Sequence, residues 1–287
     1  MRLVRFTRML HGVESADPEA VHRMRVASRR MRELLPVLEL DAAVARKLGR
    51  RLRKVTRALG PLREADVLRQ LVDELRQEGR SQKQAWRRVS EQAKTVGALA
   101  REGFSGKAAA AELRRVGRKL ERIAKDKDID RAEETRRPTR GWRWAIDARV
   151  ARRAQTLRSA ITNAGGVYLQ ERLHEVRIAL KKLRYAAELS ADADGLRSTP
   201  DLRLLKRAQD LLGRIRDLQV LTDHIRQVQA SLTPPDATAW QQLDALVTAL
   251  EQDCRRLHAR YLRESGRLLG LCDRLSGRAA AAIRRAG

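Results

Sequence analysis

Two stretches of this chain, 152 residues apart, carry the same residue types in the same order. "VHRMRVASRRMRELLPVLEL" (21–40) aligns with "LHEVRIALKKLRYAAELSAD" (173–192). His22 meets His174, Arg25 meets Arg177, Arg29–Arg30 meet Lys181–Lys182, and Arg32 meets Arg184. Downstream, "LRKVTRALGPLREADVL" (52–68) aligns with "LKRAQDLLGRIRDLQVL" (205–221) at an offset of 153, which pairs Arg53–Lys54 with Lys206–Arg207 and Arg63–Glu64 with Arg216–Asp217. Two matched segments in one order and at nearly one offset read as an internal duplication. A duplicated chain builds the same local structure twice, so the expected architecture is two antiparallel helical bundles about a pseudo-twofold axis.

Helix formers dominate throughout. Runs of Val, Ile, Thr and aromatic residues bounded by turns are missing, so the expected class is all-α. Helix starts are legible as Asp17 before Pro18, Thr199 before Pro200, and the Pro234–Asp236 stretch. Helices are expected near 2–12, 18–39, 43–59, 61–78, 82–101, 106–125, 141–163, 167–190, 200–212, 214–230, 236–264 and 267–285, with Pro36 kinking the second. The charged stretch "KDKDIDRAEETRRPTRGW" (125–142) is the linker candidate. The expected organisation is one domain over 1–287, with halves of about 1–126 and 140–287 and a linker near 127–139.

The two aligned helices pose the functional question. An α-helix advances about 100° per residue, so with His22 at zero, Arg25, Arg29 and Arg32 fall near 300°, 340° and 280°. Met24, Ala27, Met31, Leu34 and Leu38 fall between roughly 120° and 200°, nearly opposite. The second copy sets His174, Arg177, Lys181 and Arg184 against Val176, Leu183 and Ala187 in the same way. One side packs; the other presents a ladder of cations. A solvated helix face ordinarily mixes signs, because opposite charges four apart attract and like charges repel. This stripe is nearly all positive, and a histidine stands at the same end of both copies.

The whole chain carries the same bias. Net charge is +26, and of the 62 cations eleven are lysine and 51 arginine. Guanidinium forks suit phosphate oxygens, although a GC-rich genome also enriches arginine. Such a charge implies a polyanionic partner: nucleic acid, an anionic membrane surface or polymeric phosphate. Aromatic residues make up only 3%, which argues against a binder that stacks single-stranded bases. Cys254 and Cys272 fit a reducing compartment; Cys254 and His258, four apart, are two ligands and no zinc site. No run approaches about 18 apolar residues, and "MRLVRFTRML" lacks a signal-peptide core, so a soluble cytoplasmic protein is expected.

"ALGPLRE" is expected to end one helix at Gly60 and restart another at Pro61, which sets Arg63 in a first turn, where free N–H groups attract phosphate. Arg216 in "LGRIRD" is its counterpart without the proline. Glu64 and Asp217 read as dipole partners or as groups orienting an arginine. For the histidines the preferred role is phosphate donor, with cationic neighbours pushing each toward neutrality and bound phosphate pushing back. No paired carboxylate, serine nucleophile or glycine-rich phosphate loop accompanies them, so no catalytic residue and no cofactor is expected.

The stretches "VHRMRVASRRMR", "ALGPLREADVL", "LHEVRIALKKLRYAAEL" and "LLGRIRDLQVL" resemble the CHAD family, from about residue 5 to 285. The resemblance implies two four-helix-type bundles with a basic channel or groove at their junction, binding of inorganic polyphosphate, and association with polyphosphate granules. On matching positions it implies binding by His22, Arg25, Arg29, Arg30, Arg32, Arg63, His174, Arg177, Lys181, Lys182, Arg184 and Arg216, with Arg53, Arg57 and Lys206 as further basic contacts. Glu64 stands where the family often has aspartate, and Glu39 and Glu188 follow the stripes. Some relatives add a triphosphate-processing domain whose strand pattern is missing here. The expected function is non-enzymatic polyphosphate binding; a nucleoid-type nucleic-acid binder is the alternative, and an enzyme using His22 or His174 a third reading.

Overall fold

The structure is a computed structural model that describes residues 9–38, 40–78, 82–133, 141–196, 199–233 and 236–284. Every regular element among them is helical, so the protein is all-α. The expected helix over 2–8, Glu39, Pro234, the linker residues 134–139 and residue 285 lie outside the described residues. The helices are α1 (Leu10–Glu14), α2 (Pro18–Leu34), a 3-10 turn (Leu35–Val37), α3 (Ala42–Ala58), α4 (Gly60–Gln77) and α5 (Lys83–Glu102). They continue with α6 (Gly106–Glu133), α7 (Gly141–Ala164), α8 (Gln170–Ala193), α9 (Pro200–Ala230) and α10 (Ala237–Arg284).

Side-chain caps set the starts that the sequence marks. Asp17 accepts from the Ala20 N–H at 2.7 Å with Pro18 as the first helical residue, Thr199 Oγ1 accepts from Leu202 at 3.2 Å, and Asp236 accepts from Ala239 at 2.9 Å. Asp41 does the same for α3 with two bonds, to Ala43 and Val44, and those bonds hold its carboxyl below the usual carboxylate range.

Breaks follow proline more closely than glycine. Pro36 does not kink a continuing helix: α2 stops at Leu34 and one 3-10 turn carries the chain to Val37, because the ring lacks an N–H and excludes the preceding carbonyl. Gly60–Pro61 starts α4 directly after Leu59, as expected. Gly213 and Gly266 have no following proline, and there α9 and α10 run on without the expected interruptions. Helix α6 continues to Glu133, into the stretch read as a linker.

The chain forms two compact units: Met1–Asp66 with Val96–Trp142, and Val67–Thr95 with Arg143–Gly287. In the first, α1 and α3 pack on both α2 and α6. Met24, Leu52, Leu59 and Leu113 of this core are fully buried. Two glycines allow the closest approaches: a Cβ on Gly12 would lie 2.5 Å from the Ala20 Cβ, and one on Gly106 would overlap the Glu14 carbonyl. In the second unit α9 packs on α8 and, more extensively, on α10. Ile215 with Cys254 and Arg226 with Glu251 show the α9–α10 pair to be antiparallel. Its core includes Leu157, Leu180, Leu183, Leu205 and Tyr261.

Candidate functional site

Helix α2 places its residues as its periodicity requires. Met24 and Met31 are buried, while His22, Arg25, Arg29, Arg30 and Arg32 are half-buried on the other side. His22 stands one turn inside the capped N-terminus. Burial pushes its imidazole below the ordinary histidine value; Arg63 adds most to that, then Arg25 and Arg29, with Glu19 opposing. Arg63, on the first turn of α4, therefore joins the cations of α2 around one histidine.

Arg25 is anchored. Its Nη1 donates to the Thr56 carbonyl at 2.8 Å and lies 3.4 Å from where a Cβ on Gly60 would sit; Glu64 Oε1 is 3.9 Å from the same point. The guanidinium occupies the joint between α3 and α4, where a cation meets the free carbonyls of a helix end.

Helix α8 repeats the arrangement within the second unit. Val176 and Leu183 are buried, Arg177, Lys181 and Lys182 are half-buried, and His174 is exposed. The part of its ring that is covered, and then Arg177, Arg216 and Lys181, lower the His174 pKa, with Glu175 opposing. The four groups match His22, Arg25, Arg63 and Arg29 by register. Arg216 differs from Arg63 in one respect: α9 is continuous, so Arg216 lies mid-helix with no free N–H groups beside it, and Asp217 is no N-terminal dipole partner.

The other expected residues spread out. Arg184 is tucked in, its side chain 14% exposed and 3.5 Å from Glu188. Glu33, about 20° beyond the His22 edge of the α2 stripe, is a buried carboxylate at 7% exposure. Arg53 and Arg57 are exposed on α3; Lys206 is exposed on α9 and paired with Asp210 at 3.0 Å. Cys254 and His258 are buried in the second unit, where the Cys254 thiol donates to the Ile215 carbonyl and His258 lies edge-on to Tyr168. Among the described residues no three His, Cys, Asp or Glu side chains gather as metal ligands, and no helix is long and apolar enough to cross a membrane.

One arginine cluster escaped the reading of the sequence. Arg207, Arg214, Arg260 and Arg263 line a cleft between α9 and α10. The signal was present, in arginines seven apart on one helix and three apart on the other.

Comparison with curated proteins finds no match. Among solved structures, the CHAD domain from the plant Ricinus communis is similar, with a TM-score of 0.59 and 22% identity over 91% of this chain and 87% of that one; at this identity the likeness speaks for the fold. The family model of the CHAD domain matches residues 5–226. That segment includes both histidine-bearing helices and the residues Arg63 and Arg216 that meet them, and the chain belongs to the CHAD domain family.

Proposed function

We propose that this chain binds inorganic polyphosphate through the cationic faces of α2 and α8, and does so without cleaving it. Family membership supplies the ligand class, since the CHAD domain family is associated with polyphosphate binding. The observation that carries the reading is the doubled grouping: His22 with Arg63, Arg25 and Arg29, and His174 with Arg177, Arg216 and Lys181. In each, several cations and a neutral imidazole converge where no carboxylate matches them in number. Guanidinium forks and an ammonium donate charge-assisted hydrogen bonds to successive phosphate oxygens, and the imidazole adds one more donor. Each face takes a stretch of polyphosphate, in the cytoplasm and on polyphosphate granules where these form.

The test is a titration of the whole chain with long-chain polyphosphate. Changing Arg29, Arg63, Lys181 and Arg216 to alanine is expected to weaken binding about a hundredfold. Affinity within about twofold of the native chain would reject these faces as the site. Duplex DNA that displaces polyphosphate at equal phosphate concentration would favour nucleic acid as the ligand. Orthophosphate release by the purified protein, lost in His22→Ala, would overturn the non-catalytic part.

A further inference from the structure

The α9–α10 cleft has a volume of about 450 Å³ and lies within the second unit. It is not an extension of the α8 site. With Arg216 at zero on the α9 wheel, Arg214 and Arg207 fall near 160° and 180°, on the opposite side of the helix. Its α10 residues also lie beyond the segment that the family model matches.

The charge inside is unbalanced. Four arginines face two acids, Asp210 and Glu264, and both acids are engaged elsewhere. Asp210 meets Lys206 at 3.0 Å, and Glu264 meets Arg267 at 3.4 Å. Arg214 is held by Glu74 through two parallel bonds of 2.9 and 3.0 Å, which fixes one wall. Among the described residues Arg207, Arg260 and Arg263 have no carboxylate partner. Three guanidinium groups around one hollow repel one another unless an anion enters. Leu211 and Leu257 complete the lining.

We infer that this cleft is a second anion site, separate from the α2 and α8 faces, that takes a compact oligophosphate of about three phosphoryl groups. Forked donors converging from two helices suit tetrahedral phosphoryl oxygens. The volume is at the lower end of the roughly 300–1,000 Å³ of small-ligand sites, too large for a single phosphate to fill and too small for a duplex.

The probe is inorganic tripolyphosphate, titrated calorimetrically into the full chain carrying Arg29→Gln, Arg63→Gln, Lys181→Gln and Arg216→Gln, so that the α2 and α8 faces contribute little. Saturable binding is expected, weakened at least about tenfold by adding Arg260→Gln and Arg263→Gln. These two arginines are exposed, and unchanged helical circular dichroism and melting temperature confirm that the added changes leave the fold intact. No binding in the first variant, or binding unchanged within about twofold in the second, overturns the inference. Long-polyphosphate binding by otherwise native chain carrying only Arg260→Gln and Arg263→Gln tests the α2 and α8 reading separately, and is expected to persist.

Discussion

His22 and His174 are held below the ordinary histidine value by burial and by the arginines and lysine around them, so near neutral pH both imidazoles are uncharged in the free protein. A phosphate chain reverses the sign of that field and raises both values. Binding then takes up protons, and polyphosphate affinity is expected to rise as pH falls from about 8 to about 6. His22→Gln with His174→Gln should flatten that slope, measured as dissociation constants across the range. Arg25 and Arg29 should separate by assay. Arg25→Ala strands the Thr56 carbonyl at the α3–α4 joint and is expected to cost about 1–3 kcal/mol in denaturant unfolding. Arg29→Ala should leave stability nearly unchanged and weaken binding. The sequence made both look alike, as rungs of one ladder, because helical register reports which side a residue faces and not which carbonyl lies opposite. For the same reason the register could not show that Glu33, just beyond the edge of the α2 stripe, is buried, or that Arg184 folds back toward Glu188.

At the scale of the helix, the four glycines at 12, 106, 213 and 266 test where backbone freedom and space are used. Gly213 sits in the interior of α9 with open space beyond it, so Gly213→Ala is expected to stabilise by about 0.5–1 kcal/mol. Gly12→Ala, which forces two Cβ atoms to 2.5 Å, and Gly106→Ala, which meets backbone, should each lower the melting temperature, with a cost of about 1–3 kcal/mol. Ala16 is a complementary case, since it holds φ at 55° between α1 and α2; Ala16→Gly should gain about 1 kcal/mol. These positions also show what was legible. All-α class, the amphipathic faces and the caps at Asp17, Thr199 and Asp236 follow from local chemistry, and local chemistry is written in the chain. The continuity of α9 and α10 was misread because glycine permits a break without requiring one. Proline requires one, and at Pro36 and Pro61 the helices do end nearby. The α9–α10 cleft was hidden because its arginines converge from residues some fifty positions apart.

For the molecule as a whole, a net charge of +26 means that ligand and solvent ions act on stability as well as on binding. Polyphosphate affinity should fall steeply and linearly on logarithmic axes as salt rises, with a slope that counts the phosphates contacted. Saturating polyphosphate should raise the melting temperature to the extent that the folded chain, with its cations grouped, binds it more tightly than the unfolded chain. Acid acts on the second unit through His224 and His258, both buried, with pKa values lowered by burial. Groups depressed in this way favour unfolding once the unfolded chain protonates. The stability they allow is intact above the unfolded value of 6.5 and is lost as pH falls from there toward their folded values. Thermal melts from neutral pH downward should show that loss, and His258→Gln should reduce it. Both cysteines of the chain, Cys254 and Cys272, lie in that same unit, at 3% and 0% exposure, with thiols pushed up by burial, that of Cys272 to about 11. A thiol reagent therefore cannot reach sulfur until this half of the protein opens, and its rate of reaction is a clock for that opening alone, silent about the other half.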